Sequence, residues 1–472
     1  MKHKILNFMM ALLIFVSCNE PLQDAIQASA EDQQKDGKPT PVELSVEELN
    51  LVEQLSKGTP KISIDSAKSI AMQLWGTDET APAPKQLMSS VFCNKRLVTN
   101  GLSKSSYEEE DTAFYLFNSP DDNGFAIIAA DLRVPNQVLA FSDNGNFDEN
   151  TDNPGMEFFL DLAKDYVAYC IEKAEAEKDS LAESAFRKLG INQDTESQEK
   201  KLSKYSIEYH KCTVVVPAKY TVVNYGKVGP LLKTEWGQGK PFNNKCGGSD
   251  AGCAPIAVAQ LMAYWRYPNV LNGYKLDWNV IHNPNASNYD DQVSSLVYAI
   301  RRGLGTNGTS TDAHRPLKYL RNVGLSTQNQ YYDYKYYKVT DALDKGMPVY
   351  MRGNKDKKHG DGHAWIADGY LKRKVTQEEV VKYLIFEHFD DGTVTSRYED
   401  IPSTSTSNYE LLYINWGWLS HGNGYYNKDV FDTYKRFKET PKGDFFISPE
   451  KQIGRMYYNT NIEIITDIKP RY

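Results

Sequence analysis

The stretch Gly252-Cys253-Ala254-Pro255-Ile256-Ala257-Val258-Ala259-Gln260-Leu261-Met262-Ala263-Tyr264-Trp265 constrains the chain most. It is apolar and alanine-rich, with the character of a helix, and a cysteine preceded by glycine opens it. Pro255 falls in the first turn, where its missing N–H is no loss. Cys253 therefore stands at a helix N-terminus, where orphan backbone N–H groups and the positive end of the helix dipole favour a thiolate. A cysteine so placed serves either as a nucleophile or as a small buried residue at a helix start. The choice depends on whether the chain also supplies a base, a group that orients the base, and a donor for an oxyanion.

A chain of 472 residues has room for two or three domains at ~150 residues each. A net charge of −8 argues against a nucleic-acid binder, which would carry a basic patch. The 31 tyrosines and 7 tryptophans suit a strand-rich protein or an aromatic cleft.

Lys2 and Lys4 precede a short apolar run from Ile5 to Val16, too short to span a bilayer. Residues 1–17 read as a secretory signal peptide. The ending Val16-Ser17-Cys18 resembles a bacterial lipobox, so cleavage before Cys18 and lipid attachment to Cys18 are expected. The other cysteines are Cys93, Cys170, Cys212, Cys246 and Cys253. That is an odd number for an exported protein, so at least one thiol is left unpaired within the chain. Cys246 and Cys253 could bridge, but nothing demands it. His359 and His363 have no cysteine pair to complete a zinc site, and no metal is expected.

Residues 18–43 are polar and read as a tether after Cys18. A first folded unit spans 44–190. Ser45 and Glu48 form a capping-box start to a short helix. A second helix covers 63–74, strands cover 114–117, 124–130 and 138–141, and Pro154 opens a longer helix. From 176 the composition turns to Glu, Lys, Ser and Gln. The stretch 191–211 reads as an exposed connector, open to proteolytic nicking. The second unit spans 212–472: β-prone segments at 213–216 and 220–223, the Cys253 helix, helices at 292–302 and 315–323, then strands at 348–351, 364–367, 383–386 and 410–414. Helices first and strands after give an α+β unit with a mostly antiparallel sheet.

His363 lies in Asp361-Gly362-His363-Ala364-Trp365-Ile366-Ala367-Asp368-Gly369-Tyr370. Glycine precedes it, and an alternating strand follows, with a turn expected at Asp368-Gly369. A histidine at such a strand start can face a cleft and act as base, or it can be a hydrogen-bonded structural residue. In Ile414-Asn415-Trp416-Gly417-Trp418, Asn415 could accept the imidazole N–H, and Trp416 could shield that bond from water. The alternative is a tryptophan-rich core hairpin. Gln238, in Trp236-Gly237-Gln238, could bind an oxyanion together with the Cys253 N–H, or be a loop glutamine.

Taken together, these segments resemble the streptopain-type branch of the papain-like cysteine peptidases. The resemblance lies in the order Gln238, Cys253, His363, Asn415 and in the wording around each: Trp-Gly-Gln, Gly-Cys before Ala-Gln-Leu-Met, Gly-His-Ala-Trp before Asp-Gly-Tyr, and Asn-Trp-Gly-Trp before Gly-Tyr-Tyr. It covers about 225–430, and more weakly 44–180, which is similar to that family's propeptide and to its related small inhibitor proteins. The chain departs from the family at Ala254-Pro255-Ile256, at Leu419-Ser420-His421 after Trp418, and in the basic loop from Arg352 to Lys358. Each departure bears on the rim of the cleft.

The resemblance implies a papain-like catalytic domain, a helical part plus antiparallel sheet, preceded by a smaller α+β prodomain. It implies a cysteine endopeptidase made as a zymogen. Cys253 is the nucleophile, His363 the general base and acid, Asn415 the group that orients it and Trp416 the shield. Gln238 contributes to the oxyanion hole, and Trp418 and Gly362 line the substrate cleft. No cofactor is implied. Protein or peptide substrates and the chain's own propeptide are the expected partners, with a membrane reached only through a lipid anchor. The precursor is expected as an outer-membrane or cell-surface lipoprotein whose mature peptidase is released on cleavage. The same residues would also serve an amidase or acyl transferase on small amides, and a non-catalytic surface-binding lipoprotein is the alternative outside enzymes.

Overall fold

The computed structural model describes residues 41–75, 88–99, 106–147, 153–190, 213–354, 362–388, 394–439 and 461–471. The leader with Cys18, most of the tether and the expected connector lie outside the described residues.

Ser45 caps helix α1 (Val46–Lys57). Its hydroxyl accepts from the Glu48 N–H at 3.1 Å, and its own N–H donates to the Glu48 carboxylate at 2.7 Å. This is the expected capping box. Strand β1 (Val42–Leu44) precedes it, so Val42 and Glu43, expected in the tether, already belong to the fold. Helix α2 (Ile64–Trp75) lays Ala67 and Ala71 against the sheet with no exposed surface. Strands β2 (Met88–Thr99), β3 (Ser106–Asn118), β4 (Phe125–Ala129) and β5 (Val138–Ser142) form an antiparallel meander.

Helix α3 (Pro154–Lys188) opens on Asn153, whose side-chain oxygen accepts from the Gly155 and Met156 N–H groups. Pro154 takes the position where no N–H is needed. The helix continues past 176, where the composition turns to Glu, Lys, Ser and Gln. Its Glu- and Lys-rich third is a good helix former, and its last turn buries Ala185, Phe186 and Leu189 against Leu44, Leu49, Val52, Val381 and Tyr383.

The second unit carries strand β6 (Thr213–Val228), helices α4 (Cys253–Trp265), α5 (Tyr289–Leu304) and α6 (Arg315–Asn322), strand β7 (Tyr332–Asp333), helix α7 (Tyr336–Asp344), and strands β8 (Val349–Asn354), β9 (Gly362–His388), β10 (Val394–Asn415), β11 (Gly424–Asn427) and β12 (Asn461–Ile465). Helix α4 is buried along its length, from Ala254 to Ala263, among α5, α6 and one face of the sheet. The expected α+β architecture is borne out.

The sheet runs continuously through both units, in the order β7-β12-β8-β9-β10-β11-β5-β4-β3-β2. The junction is the antiparallel pair β11–β5, Tyr425 opposite Phe141 and Tyr426 opposite Ala140. The strands expected at 364–367 and 383–386 are one strand, β9. It forms with β10 a long arm whose ladder runs from Ile366↔Asn415 to His388↔Val394. Strand β6 pairs with β9 along one edge of this arm, and β1 pairs in parallel with β10 on the other, Val42↔Ser403 to Leu44↔Ser405.

The turn expected at Asp368-Gly369 is instead a β-bulge within β9. Asp368 holds it to the segment beyond β6: its C=O accepts from Leu231 N–H at 2.8 Å and its carboxylate from Leu232 N–H at 3.0 Å. Glycine is required at 369, where a Cβ would stand 2.7 Å from the Val228 carbonyl oxygen.

Candidate active site

Cys253 is the first residue of α4, and its approach is fixed from outside the helix. The Arg301 guanidinium, on α5, donates to the carbonyls of Asp250 at 2.6 Å, Ala251 at 2.9 Å and Gly308. Gly252 takes φ +91°, and a Cβ on it would lie 3.0 Å from Thr309 O. The Ala251 N–H donates to Gln238 O at 2.9 Å, which brings the buried Gln238 beside the turn that ends in Cys253. The cysteine is partly buried and unpaired, as is Cys246, so the two do not bridge. Burial pushes the Cys253 thiol pKa up, against the backbone N–H groups of Ala364, Ala254 and Cys253 itself, which favour the thiolate.

His363 follows the strand alternation of β9. Ala364 and Ile366 belong to the cluster around α4, whereas Trp365 and Ala367 belong to the cluster that holds α3. The imidazole stacks with Trp365, ring centroids 6.1 Å apart and planes 13° apart. Its Nε2 lies 3.0 Å from the Trp416 carbonyl oxygen and donates to it. Its Nδ1 is buried and has no hydrogen-bond partner among the described residues. Burial lowers the imidazole pKa to about 4, with the Trp416 carbonyl opposing. Neither ring nitrogen is hydrogen-bonded to Cys253 or Asn415, and burial disfavours the charged form of both the thiol and the imidazole.

The first turn of α3 lies over this imidazole. A Cβ on Gly155 would meet His363 Cδ2 and Nε2 at 2.7 Å and Trp416 Cε3 at 2.6 Å, so the backbone itself is in contact. Met156 packs on Gly422, and Phe158 on Gly353 and on the Trp365 ring at 5.7 Å. Phe159 meets Tyr426 edge-on at 4.6 Å and Trp416 at 6.4 Å. Four residues of the first unit thus complete an aromatic core that the second unit leaves open.

Asn415 faces the other way. Its Oδ1 accepts from Gln260 Nε2 at 3.0 Å and from Gly417 N–H at 3.1 Å. Its Nδ2 donates to Thr234 O at 3.0 Å and to Gln260 Oε1 at 3.3 Å. Trp416, with no exposed surface, lies beside His363 at 6.2 Å between ring centroids. Gly362 is exposed at the head of β9, opposite Asn354, whose side chain a Cβ there would strike. Trp418 is half-buried, and the next residue, Leu419, takes φ +56° and covers Gly237. Of the basic stretch before His363, Arg352 is within β8, buried and paired with Glu463; 355–361 lie outside the described residues.

Sequence reasoning left Gln260, Arg301 and Gly155 unassigned. Gln260 had a signal: it is the polar residue within the apolar run of α4.

The helix-borne cysteine, the strand-borne histidine and the adjoining helical cluster and sheet have the form of a papain-like cysteine peptidase domain. Residues 236–302 match the Peptidase C10 family, a span that includes Gln238 and Cys253. Residues 59–167 match the Spi protease inhibitor family, a span that includes Gly155 and the first turns of α3. Over 344 residues the chain is 22% identical to the thiol protease/hemagglutinin PrtT of Porphyromonas gingivalis, covering 68% of this chain and 34% of that protein. The chain thus spans about a third of the length of that relative. In this order on one chain, the matches support a streptopain-type cysteine peptidase with an inhibitor-like propeptide.

Proposed function

We propose that the protein is a secreted cysteine endopeptidase made as a zymogen, and that the described form is the inhibited one. The observation that carries this reading is the first turn of α3 lying against His363, which faces away from the Cys253 helix. Removal of the propeptide frees the imidazole to pair with Cys253.

In the paired state the imidazole takes the thiol proton, and such pairs bring the thiol pKa to ~3–4. The thiolate attacks the scissile carbonyl carbon. The Cys253 N–H and the Gln238 side chain hold the oxyanion, one such donor being worth roughly 3–4 kcal/mol. His363 passes its proton to the departing amine, leaving a thioester. A water, deprotonated by His363, then attacks the thioester and regenerates the thiol. Asn415 accepts the imidazole N–H and Trp416 keeps water from that bond. Trp418 and Gly362 contribute to the substrate cleft.

Cleavage falls within 191–212, between the end of α3 and the start of β6. If Cys18 carries a lipid, that cut separates the peptidase from its anchor, and release into the medium accompanies activation. The reading is tested with the chain produced without its leader, as wild type and as Cys253→Ala, followed for self-processing and casein degradation. Both activities are expected in the wild type and neither in the variant. A wild type that degrades no protein and does not process itself ends the reading.

A further inference from the structure

Gln260 lies seven positions after Cys253 on α4, two turns along the same face and ~10 Å away. It has no exposed surface, in a helix otherwise packed through Ala, Val, Leu, Ile and Met. Its carboxamide oxygen accepts from the Trp236 N–H at 3.2 Å and from Asn415 Nδ2 at 3.3 Å, and its nitrogen donates to Asn415 Oδ1 at 3.0 Å. A backbone N–H can only donate, so Trp236 fixes which end of the Gln260 amide is oxygen. The orientation that results matches the Asn415 amide, itself set by the Gly417 N–H and the Thr234 carbonyl.

We infer that Gln260 is a positioning residue of the site, tying the helix that carries Cys253 to Asn415 on one side and to the 236–238 segment on the other. The inference rests on the endopeptidase reading. Asn415 can hold an imidazole for Cys253 only if its strand is in register with the cysteine helix. Gln238 can reach the oxyanion only if its segment is in register too. One side chain makes both connections. When His363 turns toward Cys253, its N–H takes up a share of Asn415 Oδ1, while Gln260 Oε1 keeps Asn415 Nδ2 and the amide stays in place.

The test compares wild type, Gln260→Met, which removes every polar contact, and Gln260→Glu, which keeps the acceptor and loses the donor when ionised. Each zymogen carries an engineered site for an unrelated protease within 191–211, is cut there by that protease and is then freed of it. The kcat and KM on a peptide amide, the pH dependence of Cys253 alkylation by iodoacetamide, and the Tm are measured. Gln260→Met is expected to lose kcat on the order of 10²-fold, the effect of a ~1 Å misplacement, with KM held. Its alkylation curve moves toward that of an ordinary thiol. Gln260→Glu is expected between the two and decides the matter if the methionine variant does not fold. Wild-type kcat and an unmoved alkylation curve in a folded variant, with only Tm lowered, would overturn the inference. If the wild type itself turns over no peptide, the endopeptidase reading fails instead, and the alkylation curves still report whether Gln260 acts on the cysteine.

Discussion

The Gly155 backbone lies against the His363 imidazole so closely that a methyl group does not fit between them. Gly155→Ala would place a Cβ 2.7 Å from two ring atoms of His363. Overpacking of this kind costs ~1–3 kcal/mol. The variant zymogen is therefore expected to process itself roughly 5- to 150-fold faster, at 1.36 kcal/mol per tenfold. Timed gel analysis of the purified zymogen measures this, and a rate equal to wild type would show that the contact does not hold the closed state.

The closed form is expected to weaken in acid through His363. Its imidazole titrates at about 4 when buried, below the ordinary 6.5. Between those values the open form binds a proton that the closed form refuses. This part of the stability is complete above pH 6.5 and is lost as the pH falls toward 4. Urea unfolding of the Cys253→Ala zymogen across this range, compared with a Cys253→Ala, His363→Gln double variant, isolates it. The two should diverge as the pH drops; parallel curves would contradict the assignment.

Asp368 works in the opposite sense. Burial raises its carboxyl pKa to about 7, although the Leu232, Leu231 and Asp368 backbone groups favour the charged form. The folded state thus holds a proton that the unfolded chain has lost, and the associated stability is full below about 3.8 and lost as the pH rises through 7. Asp368→Asn keeps an acceptor for the Leu232 N–H and carries no charge. It should melt above wild type at pH 8 and match it near pH 4, as read by thermal unfolding.

The arm gives the propeptide a second hold, remote from His363. Leu44, 2% exposed, packs there with Val381, Tyr383 and Phe186. Leu44→Ala is expected to remove ~2–5 kcal/mol from that hold. The zymogen should process faster, while the matured enzyme, which on the proposed cleavage lacks residue 44, keeps the wild-type kcat. A change in kcat after maturation would mean that the arm reports to the site by some other route.

Local chemistry was legible in the sequence and long-range geometry was not. The Ser45 and Glu48 capping box, the Pro154 helix start and the place of Cys253 at the head of α4 all follow from neighbours in the chain. Strand β9 was harder to read because Lys372, Arg373, Lys374, Gln377, Glu378 and Glu379 break its apolar alternation. It is held by ladders on both sides, β6 and β10, with apolar contacts at Leu371, Val381 and Tyr383. Asp368-Gly369 has the composition of a turn, but backbone groups of a distant segment make it a bulge. At the site the sequence offered candidate residues but not their conformation. Nothing near His363 in sequence says that its ring turns toward a glycine in another unit, or that Asn415 bonds Gln260.

If the propeptide is cut away as proposed, the pairing of β11 with β5 has a further consequence. While the chain is whole, Tyr425 and Tyr426 are interior to one sheet, and Phe141 stacks on Tyr425 at 5.3 Å. Cutting the propeptide away leaves β11 as a rim, with bare N–H and C=O groups beside an aromatic surface, the kind of edge along which protein molecules aggregate. On the proposed activation, departure of the inhibitor would exchange silence for stickiness, and the active form would have to live with a seam that its precursor kept closed.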